Sequence, residues 1–316
     1  MKHFPHTTFI KTETGCPPWG RGWCAALACR LEASAAKPGN VHPSAAFPDL
    51  TYEELVAAGI AIAPAIERGP QEPLGRTILD AIAASRRVTR SNANLGIVLL
   101  IAPLAAVPDG SREPAGGLAG AVAAVLAGLG PQDARDVWQA IAMARPGGMG
   151  TRGRWDLAAA APESLMDAMR EAASHDQIAR LWAHGYEPLF TGPARDIEIE
   201  LRAGRTLGDA IVRSHLRQLA REPDSLVSRK HGRAVAAEVS ARAAAVLACG
   251  EDGWQAAADE FDRSLRPADD AARKINPGTT ADLMAAALYI LLRDGRLRDL
   301  LGPAPTIESS IHQRHA

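Results

Sequence analysis

The sequence predicts an all-α fold, a single compact domain of about a dozen helices, from three observations. Hydrophobic residues make up 47% of the 316 positions, with alanine abundant, which is enough apolar material for one large core. Aromatic residues are only 4% and β-branched residues seldom run together, a pattern that disfavours sandwiches and barrels and suits close-packed helices. Pro and Gly fall between helix-length segments without gathering into a linker, and no fixed-period repeat is visible.

Taken in order, the apolar spacing places helices near 19–34, 51–68, 72–88, 93–106, 114–128, 132–144, 163–183, 185–203, 205–221, 226–249, 252–265 and 280–294. Several starts have a mechanism. Thr51 with Glu54 forms a capping box, Pro131 introduces Gln132–Ala144, and Asp224 or Ser225 caps the segment that follows. In the last long helix Leu283, Ala286, Ala287, Ile290 and Leu291 recur at helical spacing, so one face is buried and Tyr289 sits in the core or at its rim. The domain is expected to span residues 16–302, with 1–15 and 303–316 as tails.

Charge and hydropathy exclude some classes of partner. Lys plus Arg total 35 against 36 for Asp plus Glu, and no basic stripe tracks along the chain, so a nucleic-acid partner is not expected. The longest apolar run, Leu95 to Val107, contains Gly96 and Pro103 and is too short to cross a bilayer. The polar stretch Met1 to Gly15 lacks the hydrophobic region of a signal peptide, so a cytoplasmic protein with no membrane partner is expected. Self-association is left open. Cys16, Cys24, Cys29 and Cys249 form no CxxC pair and read as free thiols, the last three as small buried apolar residues.

Four polar loops interrupt the apolar helices: Lys37-Pro38-Gly39-Asn40-Val41-His42, Ser91-Asn92-Ala93-Asn94-Leu95-Gly96, Pro146-Gly147-Gly148-Met149-Gly150 and Asn276-Pro277-Gly278-Thr279-Thr280-Ala281-Asp282. Pro presets one backbone angle, Gly permits close approach, and the amides of the next helix start can hold an anion. That combination describes a phosphate cradle. In the fourth loop Thr279 or Thr280 can cap a long helix, with Asp282 in its first turn; simple capping explains it equally well. Lys37 is either a phosphate contact or a solvated loop lysine, and Arg229-Lys230-His231 either a phosphate-facing cluster or a solvated face. Glu32 and Asp49 flank the first loop and could share a Mg²⁺ beside a phosphate, or else pair with Lys37. Glu171, His175 and Asp176 form only a weak metal pattern on neighbouring helical positions.

Together these motifs resemble the triphosphoribosyl-dephospho-CoA synthase family. The resemblance covers most of the chain and rests on Glu32, Lys37 to His42, Asp49, Asn94-Leu95-Gly96-Ile97, Pro146 to Gly150, Asp176 to Arg180, Asp224-Ser225-Leu226, Arg229 to Gly232 and Asn276 to Leu283. It implies an all-helical enzyme, a pentosyltransferase that joins the 2′-hydroxyl of dephospho-CoA to the ribose C1′ of ATP and releases adenine. It further implies Lys37, Gly39, Asn40, Asn92, Asn94, Gly96, Arg229, Lys230, His231, Asn276, Thr279 and Thr280 around phosphates or ribose. Glu32 and Asp49 would hold Mg²⁺, and Asp282 or Asp176 would act as base or electrostatic partner. Citrate-lyase-associated members carry an Asn-Thr-His-Lys-Gly-like stretch where this chain reads Asn92-Ala93-Asn94-Leu95-Gly96. That version looks like a branch associated with archaeal-type one-carbon metabolism. Two other readings therefore stand beside the first: ribosyl-phosphate transfer to a pterin or furan one-carbon cofactor intermediate, and a noncatalytic nucleotide-binding protein.

Overall fold

One helix is buried along its whole length and the others wrap it. The computed structural model describes residues 19–109, 117–146, 160–266 and 274–301. In chain order the helices are α1 (Arg21–Ser34), α2 (Tyr52–Glu67), α3 (Leu74–Ser85), α4 (Leu95–Ala106), α5 (Gly117–Ala127), α6 (Pro131–Ala144), α7 (Leu165–Ala172), α8 (Gln177–His184), α9 (Glu187–Leu189), α10 (Arg195–Arg202), α11 (Leu207–Arg221), α12 (Ser225–His231), α13 (Arg233–Ala248), α14 (Gly250–Leu265), α15 (Gly278–Arg293) and α16 (Arg296–Leu301). Among the described residues there is no β-sheet, only isolated bridges at His42–Ala45 and Phe47–Leu50. No described helix is long and apolar enough to cross a membrane.

From Thr279 to Arg293 every residue of α15 is buried except Asp282. A helix apolar on all sides can only be a core helix, and α1, α4, α11, α12 and α16 pack around it. Helix α4 is built the same way, since only Gly96 and Ala106 escape burial. Outer layers follow, with α2 on α1, α3 on α2, α6 on α3, and α13 on α11. Tyr289 lies in the core.

The expected starts hold. Thr51 and Glu54 form a reciprocal capping box and Pro131 opens α6. Three expected spans differ. The segment 163–183 is two helices: α7 ends at Ala172, and Asp176, in extended backbone, starts α8 by capping it through the amides of Ile178 and Ala179 at 2.9 and 3.0 Å. The segment 226–249 divides at Gly232, whose φ of +94° ends α12. Within 185–203 a π-helical turn, Phe190–Ala194, separates α9 from α10. Helix α16 was not expected. Cys24 and Cys29 are buried, but Cys249 is exposed because it falls at the junction of α13 and α14 and not on a helix face. Cys16 and both expected tails lie outside the described residues.

Three helix starts meet at one buried residue pair. Asp224, fully buried, accepts from the amides of Leu226 and Val227 at 2.8 and 3.0 Å, which caps α12. Its other oxygen accepts from the amide and hydroxyl of Thr280 at 2.7 and 2.8 Å, which caps α15. Next to it the Ser225 hydroxyl donates to Thr279 Oγ1 at 3.1 Å, and the Ser225 amide donates to Gln177 Oε1 at 3.2 Å at the start of α8. Asp224→Ala is therefore expected to cost about 2–4 kcal/mol in urea unfolding, the sum of two lost caps and orphaned Thr280 donors. A loss under about 1 kcal/mol would show that the caps contribute little.

Candidate active site

The starts of α4, α8, α12 and α15 open into a cavity of about 640 Å³, within the usual range for a small-molecule site. Its apolar wall includes Leu95, Leu99, Trp138, Ile141, Leu165 and Met169. Its polar wall carries five cations, Arg90, Arg145, Arg229, Lys230 and Lys274, facing the carboxylates of Asp49, Glu171, Asp176 and Asp282.

Asp282 stands where it does because Gly96 has no side chain. A Cβ at Gly96 would lie 2.0 Å from Asp282 Oδ2 and 2.8 Å from Ile178 Cδ1. The carboxyl thus enters the gap between α4 and α8. Burial, then the facing carboxylates of Glu32, Asp224 and Asp176, hold Asp282 well above the usual carboxylate range, with Arg229 acting in the opposite direction. Asp176 is differently placed, since its second oxygen accepts from Arg229 at 3.2 Å. Burial and the neighbouring Lys274 and Arg229 lower the pKa of Lys230, while burial and Lys230 lower that of His231.

Of the residues expected at the site, Asp282, Asp176, Asn92, Gly96, Arg229, Lys230, Asn276, Thr279 and Asp49 line the cavity. The others lie behind its wall. Lys37 is fully buried with its ammonium 2.9 Å from Glu32 Oε1, so it faces the interior and not a phosphate. The Gly39 amide donates to Asp262 Oδ1 at 2.7 Å, and with φ of +78° its absent Cβ would fall 2.7 Å from the Ile275 carbonyl oxygen. Arg266 donates to the Asn40 carbonyl, while the Asn40 side chain donates to that of Pro38 at 3.3 Å. The first loop is therefore a clasp holding the segment that enters α15. Asn94 accepts from Ser85 Oγ at 2.7 Å, and Thr280 is held by Asp224. Thr279 and Thr280 thus do not cap α15 with their own oxygens; Asp224 does. His231 closes α12 behind Lys230. Of the third loop, Pro146 lines the cavity and residues 147–150 lie outside the described residues.

The expected cation ligands are engaged elsewhere. Glu32 holds Lys37, and Asp49 holds Lys274 at 2.6 Å, which lowers the Asp49 pKa. Among the described residues no three His, Cys, Asp or Glu side chains are grouped to hold a metal, Glu171, His175 and Asp176 included. Several lining residues were missed. Arg90 and Lys274 sit one and two residues outside polar loops already singled out, so a wider window would have included them. Trp138 and Ile141 gave no sequence signal, because a cavity wall and a core face have the same helical spacing.

Comparison with known proteins gives this geometry its family. The family model described as ATP:dephospho-CoA triphosphoribosyl transferase matches residues 18–299. The chain belongs to this transferase family. No curated protein matches the chain. Among solved structures, an Archaeoglobus fulgidus protein described as a candidate triphosphoribosyl-dephospho-CoA synthase aligns with a TM-score of 0.58 and 23% identity, over 76% of this chain and 99% of that one. At that identity the likeness concerns the fold. Acceptors of one-carbon metabolism are named in none of these matches to the triphosphoribosyl transferase family.

The Asp282 environment sets a sign for stability. Its folded pKa is raised above the unfolded value of about 3.9, so the folded protein retains a proton that the unfolded chain releases. Stability from this group is fullest below that value and declines as pH rises towards the raised folded pKa. Asp282→Asn should therefore raise Tm by about 2 °C or more at pH 8 relative to wild type, with little change near pH 4. An equal Tm difference at both pH values would contradict the assignment. Gly96→Ala should displace Asp282 and lower turnover by about tenfold or more, read against an unchanged circular dichroism spectrum.

Proposed function

We propose that this chain transfers the triphosphoribosyl group of ATP to the 2′-hydroxyl of dephospho-CoA and releases adenine. The observation that carries the reading is Asp282, a carboxyl whose pKa burial and neighbouring carboxylates hold well above the usual range, in a cavity also lined by Arg90, Arg145, Arg229, Lys230 and Lys274. The family assignment supports the same substrates.

In this reading the triphosphate lies against Arg90, Lys230 and Lys274, where point charges and a guanidinium neutralise it. The apolar wall around Leu99, Trp138 and Met169 takes an adenine or the pantetheine arm. The C1′–N9 bond of ATP breaks through an oxocarbenium-like state, and Asp282 gives its proton to the departing adenine. The Asp176 carboxylate, oriented by Arg229, faces the positive charge developing on the ribose. As the C1′–O bond to the acceptor forms, the hydroxyl proton passes to Asp282 and restores it. Overall one proton moves from acceptor to adenine and the triphosphate stays intact. With Glu32 and Asp49 already paired to lysines, Mg²⁺ in this reading comes in on the triphosphate and not on a preformed protein site, and no step above uses it. ATP and dephospho-CoA as substrates make the cytoplasm the expected location.

The test is adenine released from ATP, by chromatography, with dephospho-CoA, with CoA and with no acceptor, while mass spectrometry follows the adduct. Stoichiometric adenine and adduct with dephospho-CoA alone are expected; no adenine from folded, ATP-stabilised protein would overturn the reading. Asp282→Asn should lower turnover by about 10²–10⁴-fold with ATP-induced stabilisation retained. Because a proton donor must be protonated, wild-type activity should fall as pH rises through the raised Asp282 pKa.

A further inference from the structure

One cation lining the cavity rests on an aromatic ring. The Lys274 ammonium lies 3.9 Å from the centroid of the Phe47 ring and 2.6 Å from Asp49 Oδ1. A cation within about 6 Å of an aromatic face is drawn to the partial negative charge of that face. Phe47, Asp49 and Lys274 all line the cavity, and Phe47 is itself buried. Lysine loses more freedom than most side chains when it is fixed, so an ammonium already held in place takes up an anion at lower entropic cost.

Backbone pairing places the ring. Residues 42–50 form two tight turns, in which His42 and Ala45 exchange hydrogen bonds at 3.1 and 2.9 Å and Phe47 and Leu50 at 2.9 and 3.3 Å. The Ser91 hydroxyl donates to the Asp49 carbonyl and ties the second turn to the next polar loop. A second cation, Arg266, lies 5.2 Å from the same ring. Its charge is met by Asp262 at 2.7 Å and it donates to the Asn40 carbonyl, so it serves the clasp and not the cavity. The two holders of Lys274 differ in what they do to an incoming phosphate. Asp49 repels it, but that carboxylate is 68% exposed, so water and salt screen its hold on the ammonium. The ring carries no net charge and keeps its ammonium while a phosphate takes the place of the carboxylate.

We propose that Phe47 is a positioning residue for polyphosphate binding: its ring holds the Lys274 ammonium at the cavity wall, and the phosphate displaces Asp49 from that ammonium. The proposal rests on the reading that places the triphosphate against Lys274. No covalent bond changes, since one ion pair is exchanged for another. Asp49, expected from the sequence to hold Mg²⁺, acts instead as the counter-ion that the substrate replaces.

The test is calorimetric titration of the full chain with inorganic tripolyphosphate, in wild type, Phe47→Leu, Lys274→Met and the double variant. Phe47→Leu should weaken binding by about 3–30-fold. Lys274→Met should weaken it at least as much, and the double variant no further, because the ring acts only through the ammonium. Losses that multiply in the double variant, wild-type binding by Phe47→Leu, or a wild type that binds no tripolyphosphate would each overturn the proposal. If Phe47→Leu does not fold, 3,4,5-trifluorophenylalanine at position 47 decides, since it keeps the shape of the ring and removes the negative charge of its face. Binding should then weaken in the chain that has Lys274 and not in Lys274→Met; unchanged binding in both overturns the proposal. Adenine release is measured separately. The expected binding pattern in a protein that releases no adenine would keep the role of Phe47 and remove only the transfer reaction, whereas adenine release without that pattern would do the reverse.

Discussion

The site depends on one buried carboxylate. Asp224 accepts four hydrogen bonds, two from the start of α12 and two from Thr280 on α15. Each helix start leaves amides without intrahelical partners, and here one side chain serves two helices at once. This fixes the rotational setting of α15, whose next turn must present Asp282 to the cavity while its neighbours Ala281 and Leu283 are buried. A shift of α15 by one residue would move about 100° around the axis and exchange the carboxyl for an apolar side chain. The capping geometry and the reactive geometry are thus one constraint.

That constraint concentrates negative charge. Burial first, and then the charges of Glu32, Asp224 and Asp176, push the Asp282 pKa well above the usual carboxylate range. Such a cluster is tolerable only where cations and helix amides hold the other three. Arg229 holds Asp176, amides hold Asp224, and Lys37 holds Glu32. The same cavity is also lined by the cations Arg90, Lys230 and Lys274, the groups to which the proposed function assigns the triphosphate.

The sequence made the all-helical class legible because alanine-rich 3.6-residue spacing recurs throughout. It also located the loops that build the site. What it could not show was which way those loops turn. Lys37 and Asn40 carry the residue types of a phosphate cradle, yet tertiary contacts from Asp262, Arg266 and Ile275 turn the loop inward. Helix divisions at Asp176 and Gly232 were hidden for a related reason. Asp176 reads as an ordinary polar helix position, whereas its carboxylate caps α8 with one oxygen and accepts from Arg229, 53 residues away, with the other. The apolar wall on α6 and α7 has the same spacing as a core face, so periodicity alone does not separate them.

The Asn92-to-Gly96 stretch shows how the same cavity can do without the His-Lys pair of citrate-lyase-associated members. Here Asn94 is turned inward onto Ser85, and Leu95 contributes to the apolar wall. A cation at position 95 would project into the same space from the first turn of α4. The chain supplies positive charge from other directions, through Arg90 just before this loop, Lys274 just before the next, and Lys230 on α12. Their charges come from three separate elements and converge on one volume. A phosphate held by convergent charges has no need of any single pair, so under the proposed function the missing His-Lys would change where a triphosphate is gripped without removing the grip. What that stretch must keep is Gly96, because the space left by its missing side chain is where Asp282 stands.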